Sequence, residues 1–506
     1  MAICYNCNYM KTINLTKPEY SLNKELLDKD LPIIAQENFF RAIRRRIPLF
    51  MDGYRYSAYA ARQRWGIDIC FFEAGHEQVK PCYISNTMNV KGAEIWLKKM
   101  NEDPNFAQAL IDEVKSIVVL QKDFAKSIPQ RELSTDETVN LLKGHLDYWV
   151  TFFEVAYLWF CVENIKENID AEIKLEWKGT DDEMKDFFEN VYRPMELPLS
   201  SVEQRELIKL ALLKGEELEV ALNEHCEKYK HLSLHNPDDE YFDVEYYKGR
   251  VKSLQDPIEY QKQKDLLESA DLEISEAGEL LKKTDISDRL KERVEFVRWF
   301  MYIRTECIDH MMLVNSAFKS ILNSMVEKLN LPVEAVLHMT YEEIISSLEL
   351  GHLSVEKDLI MERLNNGYAY LIAPHGSYLV TGEDVDTLHQ LVIPKVEGEK
   401  ITEIKGQSAF KGKVTSIARV ILDRRQSKDL QEGEILVTTM TSPEFVPAMK
   451  LSAGIITNEG GILCHAAIMS RELRKPCIIG TKIATDAIKT GQKITLDADK
   501  GIITWD

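Results

Sequence analysis

The sequence predicts a multi-domain α + α/β protein, in which a large, mostly helical N-terminal region precedes a small C-terminal α/β domain. Apolar residues recur at helical spacing through much of the first 390 residues. From Gly406 onward, short runs of strand formers alternate with short helical stretches, a pattern typical of α/β units. We therefore expect a helical region over 1–390, a linker over 391–405 and an α/β domain over 406–506.

The helical region shows both apolar periodicity and recognisable helix starts. Ser134-Thr-Asp-Glu137 and Thr340-Tyr-Glu-Glu343 have capping-box spacing, in which a hydroxyl and a glutamate three residues later satisfy the free N–H groups of a helix start. Asn330-Leu-Pro332 is a stop signal. Helices are predicted over 106–120, from 138 towards 165, over 201–225 and over 293–329.

Two segments break the helical pattern. Residues 66–86 hold two runs of strand formers on either side of Gly75. Residues 368–380 alternate strand formers around the turn signal Pro374-His375-Gly376. We expect a small β-hairpin in each segment.

Composition restricts the class of partner and the compartment. The formal net charge of −19 disfavours nucleic acids and anionic membranes, which need a basic surface. No export signal is visible and the nine cysteines form no framework, so we expect reduced thiols in the cytoplasm. Cys4 and Cys7 form one Cys-x-x-Cys pair, without the second pair of a zinc ribbon. We interpret them as free cysteines and predict no metal site.

The most informative segment runs from Thr457 to Gly480. A strand-like stretch ends at Thr457, a Gly460-Gly461 turn follows, and His465 lies at the start of a helical stretch. Backbone N–H groups are unpaired at a helix start and the macrodipole is positive there, so an anion on the imidazole would be stabilised. A neutral imidazole nitrogen is also a nucleophile. The pattern predicts a histidine that carries a phosphoryl group; the alternative is a histidine that only packs beside the helix cap.

This segment resembles the phosphohistidine swivelling domain of the phosphoenolpyruvate-utilising enzymes. The shared pattern is T-x-x-G-G-x-x-[ST/C]-H-A-A-I-x-[AS]-R-E-x-x-x-P-x-[IV]-[IV]-G, and residues 457–480 fit it. Two departures from the relatives occur: Leu463 stands where some carry a regulatory threonine, so that form of control is not expected, and Arg474-Lys475 stand where many have Gly-Ile. The resemblance implies that His465 is transiently phosphorylated and carries the group between two sites. It also implies supporting roles in the phosphoryl loop for Thr457, Gly460, Gly461, Cys464, Thr441 and Arg471. The alternatives are that Thr441 only caps the helix that follows it, and that Arg471 serves docking and the fold.

The layout resembles the helical and histidine modules of rifampicin phosphotransferase. No glycine-rich phosphate loop with metal-binding carboxylates occurs before residue 400, and no phosphoenolpyruvate-binding barrel follows the histidine motif. The resemblance implies that ATP and Mg²⁺ bind to a separate ATP-grasp subunit, that this chain binds no cofactor, and that the helical region holds a small-molecule acceptor. The alternatives are a phosphocarrier or regulatory protein phosphorylated on His465, and a non-catalytic substrate-binding scaffold.

Four residues are candidates for the acceptor site. His231 and His235 lie in a histidine-containing segment where an imidazole could take the proton of an acceptor hydroxyl. Arg298 and Arg304 could hold a phosphoryl group or an anionic substrate. The alternatives are incidental histidines in a polar loop, and arginines paired along their own helix with Glu295 or Glu306.

Overall fold

A computed structural model of the chain describes residues 20, 24–34, 39–45, 58, 60–62, 64–67, 70–75, 80–156, 161–392, 402–422, 424–441, 445–459 and 465–505. Cys4, Cys7 and residues 393–401 of the predicted linker lie outside these ranges.

The N-terminal region is mostly helical and is organised around the 42-residue helix Asp288–Leu329. This helix ends at Asn330, whose left-handed backbone (φ 51°) terminates it. None of the described helices combines the length and apolar content needed to cross a bilayer. The described helices of this region are Lys24–Ile34, Asn86–Glu102, Phe106–Ser127, Thr135–Ala156, Val162–Glu176, Asp181–Asn190, Leu199–Leu210, Gly215–Tyr229, Val244–Leu254, Pro257–Lys283, Asp288–Leu329, Val333–Val336, Tyr341–Leu350, Lys357–Asn366 and Glu383–Val392.

The helix starts follow the sequence signals, whereas one predicted helix is interrupted. Both capping boxes form, with Glu137 accepting from the Ser134 N–H at 2.9 Å and Glu343 from the Thr340 N–H at 2.9 Å. The helix predicted over 201–225 is two helices, because the second begins at Gly215 in a left-handed conformation (φ 61°) that a continuous helix excludes. The described residues of the stretch from 138 to 165 lie in the helices Thr135–Ala156 and Val162–Glu176 and at Cys161, and residues 157–160 lie outside the described ranges.

The two strand-like segments of this region join in a single antiparallel sheet. Its strands are β1 (Phe39–Arg45), β2 (Phe71–Gly75), β3 (Lys80–Ser85), β4 (Tyr368–Ile372) and β5 (Ser377–Val380). Their order is β1-β3-β2-β4-β5, so β2 pairs with both its neighbour in sequence and β4. The sheet therefore ties the early part of the region to its end.

The two faces of this five-stranded sheet pack against two different apolar clusters. Alternating residues of β2 and β4, such as Phe71 and Tyr370, pack into the large helical core. The residues between them, such as Phe72 and Leu371, pack against the helices Lys24–Ile34 and Glu383–Val392 through Ile34, Val385 and Leu388. Because side chains alternate between the two faces of a strand, both faces of this sheet are covered. The helix Lys24–Ile34 lies beside the β4–β5 turn.

The C-terminal domain is an eight-stranded mixed sheet with helices between strands. Its order is β6-β13-β12-β8-β9-β10-β11-β7, and β8, β9, β10 and β11 run parallel to one another. The strands are β6 (Glu403–Lys405), β7 (Gln407–Phe410), β8 (Lys413–Val420), β9 (Ile435–Thr438), β10 (Gly454–Thr457), β11 (Cys477–Ile479), β12 (Lys493–Asp497) and β13 (Ile502–Thr504), and the described α-helices are Val446–Leu451, His465–Leu473 and Ala484–Ala487.

Both faces of the central parallel strands are buried. Ile435, Val437 and Ile456 face one apolar cluster, whereas Leu436 and Ile455 face the other. Such strands read as continuous apolar runs because no side of them meets solvent.

The sheet begins earlier than the sequence indicates. Residues 403–405 of the predicted linker form β6, which pairs antiparallel with β13 at the sheet edge. Gly406 follows directly, and a Cβ there would lie 2.5 Å from Ile478 Cγ2 and 2.7 Å from the Ile479 carbonyl oxygen. Glycine is therefore required by close packing at the point where the chain enters the domain.

Candidate functional site

The predicted phosphohistidine motif lies at the carboxyl ends of the parallel strands. β9 ends at Thr438 and β10 at Thr457, and these two threonines are register partners. In parallel α/β sheets, ligands bind at this edge because the loops that follow the strands converge there. The segment between β10 and the next helix starts at this edge and leads to His465.

Hydrogen bonds fix the first residues of this segment from both sides. The Asn458 and Glu459 N–H groups donate to the carbonyls of Thr438 and Thr439 at 3.1 and 2.9 Å. On the other side, the Thr481 and Lys482 N–H groups donate to the carbonyls of Thr457 and Asn458. The chain therefore leaves β10 in a defined direction.

Buried polar side chains add to this framework. Asn458, 2% exposed, donates from Nδ2 to Thr485 Oγ1 at 2.6 Å and accepts from the Thr485 N–H at 3.0 Å. Thr481 Oγ1 donates to the Thr457 carbonyl at 2.9 Å, and Thr457 Oγ1 donates to the Glu459 carbonyl at 2.6 Å. Thr457 thus acts through the backbone of the segment that follows it. Sequence reasoning missed Asn458, Thr481 and Thr485, although a short polar residue directly after a buried strand was an available signal.

The helix His465–Leu473 begins at the predicted histidine. Ala466 and Ala467, 2% and 0% exposed, pack against Ile455, Cys477 and Ile479 of the sheet. Small side chains at these two positions let the helix start lie close to the strands. Its first N–H groups have no carbonyl partner within the helix, so this helix end favours an anion.

Other predicted loop residues are placed less completely. Gly460, Gly461 and Cys464 lie outside the described residues, as do the side chains of His465 and Arg471. Thr441 is buried in the segment that follows β9, at the same edge of the sheet. Its position agrees with a role near the loop, without assigning one.

Comparison with known proteins identifies the family whose domain the C-terminal domain matches. The family described as "PEP-utilising enzyme, mobile domain" matches residues 430–501. The chain carries the mobile domain of the phosphoenolpyruvate-utilising enzymes. This domain contains His465 and the hydrogen-bonded framework around it.

Relatives resemble this chain through a limited part of their length. A probable phosphoenolpyruvate synthase of Archaeoglobus fulgidus is 37% identical over 171 residues, which are 32% of this chain and 22% of that protein. The phosphoenolpyruvate synthase of Pyrococcus furiosus is 43% identical over 130 residues, which are 25% of this chain and 16% of that protein. The chain thus spans about a fifth of the length of these relatives. A solved aconitase X of Thermococcus kodakaraensis aligns over 21% of this chain and 98% of its own, at 19% identity and a TM-score of 0.17.

Of the acceptor-site candidates outside the mobile domain, His231 is the more deeply buried histidine. It is 7% exposed in the short helix Lys230–Ser233, and its Nε2 has no hydrogen-bond partner among the residues that the structure describes. Burial, with a smaller contribution from His310, lowers the pKa of His231 to about 4, so its ring is neutral at pH 7. His235 lies in the same turn, where Asn315 Nδ2 donates to its carbonyl at 3.0 Å.

The two candidate arginines lie on the helix Asp288–Leu329. Arg298, 2% exposed, donates from Nε to the Arg193 carbonyl at 2.8 Å and from Nη2 to the Ile274 carbonyl at 3.0 Å. It therefore connects its own helix to the helix Pro257–Lys283 and to the non-helical segment at Arg193, and Glu295 on the same helix adds a favourable electrostatic interaction. Arg304 is exposed on the same helix.

A further polar cluster was not predicted. His225 Nε2 lies 2.9 Å from Glu203 Oε1, and Arg250 Nη1 donates to both carboxylate oxygens of Glu203 at 2.8 and 3.0 Å. The cluster links the helices Leu199–Leu210, Gly215–Tyr229 and Val244–Leu254. Among the described residues, no three or more His, Cys, Asp or Glu side chains are grouped as a metal site.

Proposed function

We propose that this chain is a phosphotransferase component in which His465 receives a phosphoryl group and delivers it to a small-molecule acceptor. The observation that carries the proposal is the mobile-domain match over 430–501, with His465 as the first residue of the helix His465–Leu473. This helix follows the edge at which the parallel strands end, where an anionic group meets unpaired N–H donors.

In the first step, a nitrogen of the His465 ring attacks the phosphorus of the donor. A P–N bond forms as the bond to the leaving oxygen breaks, which gives a phosphoramidate. The chain supplies positioning and charge stabilisation: the helix start faces the transferred group, and Asn458 and Thr481 hold the preceding segment in place.

We propose ATP on a separate ATP-grasp subunit as the donor. The reason is the sequence before residue 400, which contains no glycine-rich phosphate loop followed by metal-binding carboxylates. Mg²⁺ would arrive with the nucleotide and neutralise charge on its phosphates. The mobile domain then delivers the group to an acceptor held by the N-terminal region.

The experiment combines the chain with Mg²⁺, ATP labelled on its β-phosphate and an ATP-grasp polypeptide encoded beside it. We expect label on the protein that is labile to acid and stable to alkali, and that is lost in His465→Ala. His352→Gln is the matched control, because His352 is exposed and its Nδ1 lies 3.2 Å from the Leu350 carbonyl oxygen of its own segment.

The outcomes separate the proposal from its alternatives. Label that persists in His465→Ala contradicts the assignment of the carrier. A labelled His465 that passes its phosphoryl group only to other proteins would indicate a phosphocarrier instead of an enzyme with a small-molecule acceptor.

A further inference from the structure

Two residues 345 positions apart form an aspartate–histidine pair at the turn between β4 and β5. Asp30 lies on the helix Lys24–Ile34, and its side chain is fully buried. Its Oδ1 accepts from the backbone N–H of His375 at 3.1 Å and lies 2.9 Å from the ring Nδ1 of the same residue. Its Oδ2 accepts from the Tyr378 hydroxyl at 3.4 Å.

This contact fixes the tautomer of His375. An ionised carboxylate only accepts hydrogen bonds, so the ring nitrogen that faces Asp30 must carry the hydrogen. In the neutral imidazole, Nε2 then has the lone pair and can accept a proton. A carboxylate behind the ring also stabilises the imidazolium that results, as in Ser-His-Asp triads.

The ring is accessible, although its partner is not. The His375 side chain is 51% exposed, whereas that of Asp30 is 0% exposed. The turn itself is held in place, because the Ala373 N–H donates to the Gly376 carbonyl at 2.9 Å and Arg62 Nη1 donates to the Pro374 carbonyl at 2.6 Å. Arg62 thereby adds a positive charge at this turn, which suits a reaction that brings a phosphoryl group to it.

We propose that His375 is the general base of the acceptor half-reaction, that Asp30 is its positioning residue, and that the acceptor is a hydroxyl compound. This inference rests on the function proposed above. The acceptor oxygen attacks the phosphorus carried by His465, a P–O bond forms and the P–N bond breaks. The P–N electron pair returns to the His465 ring, whose other nitrogen keeps its hydrogen. The hydroxyl proton moves to Nε2 of His375 and is later lost to solvent.

The pair favours a hydroxyl over a carboxylate or a phosphate as the acceptor. A carboxylate or a phosphate is already deprotonated at pH 7 and needs no base. An alcohol keeps its proton until it attacks, and a positioned imidazole accelerates such a step by about 10²- to 10⁴-fold. The base therefore indicates the chemical class of the substrate.

A purely structural pair would only attach the helix Lys24–Ile34 to the β4–β5 turn. The two roles differ in one respect: an imidazole that acts as a base can be replaced by free imidazole in solution, whereas a structural anchor cannot. His375→Gly with added imidazole therefore tests the chemistry separately from the fold.

The experiment uses the full chain loaded on His465 with potassium phosphoramidate, with His465→Ala as background. The acceptors are a defined mixture of polyols, sugars, nucleosides and hydroxy amino acids, and the readout is acid-stable phosphate ester. We expect His375→Gln to lower ester formation by about 100-fold or more, Asp30→Asn to lower it as well, and imidazole to restore activity to His375→Gly. His352→Gln should match the unsubstituted chain, and circular dichroism verifies that every variant is folded.

The possible failures of this experiment contradict different parts of the proposal. Failure to load His465 overturns both the proposed function and this inference. Normal loading with unchanged ester formation in His375→Gln, or with no rescue by imidazole, overturns this inference alone. Transfer only to water, or to none of the hydroxyl compounds, overturns the assigned acceptor class.

Discussion

Replacing Glu343 by glutamine would leave the guanidinium of Arg363 buried without its counter-charge. The two side chains are 3% and 0% exposed and form a bidentate pair, with Arg363 Nη1 and Nη2 donating at 2.8 and 2.9 Å. Glu343 Oε2 also accepts from the Thr340 N–H at 2.9 Å, so one carboxylate both caps a helix and pairs an arginine. Glutamine keeps the shape and loses the charge.

The expected loss of stability is large because water cannot reach the buried guanidinium of Arg363 to solvate its unpaired charge. Removing one partner of a buried ion pair destabilises proteins by about 3–5 kcal/mol. Glutamine retains one acceptor oxygen, so the lower end, about 3 kcal/mol, is the better expectation. For a urea m-value of about 3 kcal/mol per molar, the unfolding midpoint should fall by about 1 M.

The chain provides a matched control on its surface. Glu137 accepts from the Ser134 N–H at 2.9 Å, and Arg131 donates to both its oxygens at 2.6 and 3.2 Å. These interactions lower the pKa of Glu137 to about 2, with Arg131 as the largest cause, so this carboxylate is also charged at pH 7. The pair is exposed to solvent, which screens it. Glu137→Gln should therefore shift the midpoint far less than Glu343→Gln.

Urea unfolding followed by tryptophan fluorescence measures both variants against the unsubstituted chain. Equal midpoint shifts for the two substitutions would refute the reasoning, because burial would then not determine the effect. A changed m-value would instead indicate an altered folded or unfolded state.

Three further predictions use the same urea assay. Burial lowers the pKa of His145 to about 3, and protonation would also turn its Nε2 into a second donor facing the indole N–H of Trp149 at 3.0 Å. The folded-state pKa lies below the unfolded value of about 6.5, so the unfolded chain binds more protons as the pH falls. The free energy of unfolding should therefore fall by about 1.4 kcal/mol per pH unit between pH 6.5 and about 3. His145→Phe should flatten this slope even though it lowers stability at pH 7. An unchanged slope would contradict this. Gly406→Ala should destabilise by about 1–3 kcal/mol through its 2.5 Å contact, whereas Gly249→Ala, inside a helix with nothing within 4 Å, should stabilise by about 0.8 kcal/mol; effects of the same sign would contradict the steric argument. Asn458→Ala removes two buried hydrogen bonds and should destabilise by about 1–3 kcal/mol; a neutral effect would show that the framework around the motif does not depend on this side chain.

Local signals in the sequence predicted what local interactions determine. The capping boxes at Ser134 and Thr340 and the helix start at His465 need only a few neighbouring residues, and all three were visible in the sequence. The mobile-domain strands were also recognisable, because burial on both faces gives short continuous apolar runs.

Long-range pairings carried no such signal. The five-stranded sheet joins β2 to β4 across almost 300 residues, as the hydrogen bond from Tyr368 to Glu73 illustrates. Neither its register nor the contact of Asp30 with His375 follows from any local pattern. At Arg298, the sequence suggested a role that depends on the tertiary structure. Its charge suggested ligand binding, whereas its Nε and Nη2 donate to the backbone carbonyls of Arg193 and Ile274, which are distant in sequence.

The pairing of β6 with β13 has a consequence for the history of this domain. Because the first and last strands of the C-terminal sheet are adjacent and antiparallel, the chain enters and leaves through neighbouring points. A unit with adjoining ends can be spliced between two segments of a host protein without stretching either, and it tolerates circular permutation for the same reason. A domain of this kind can be inserted at a single site of another protein, which makes it easy to combine with different donor and acceptor domains.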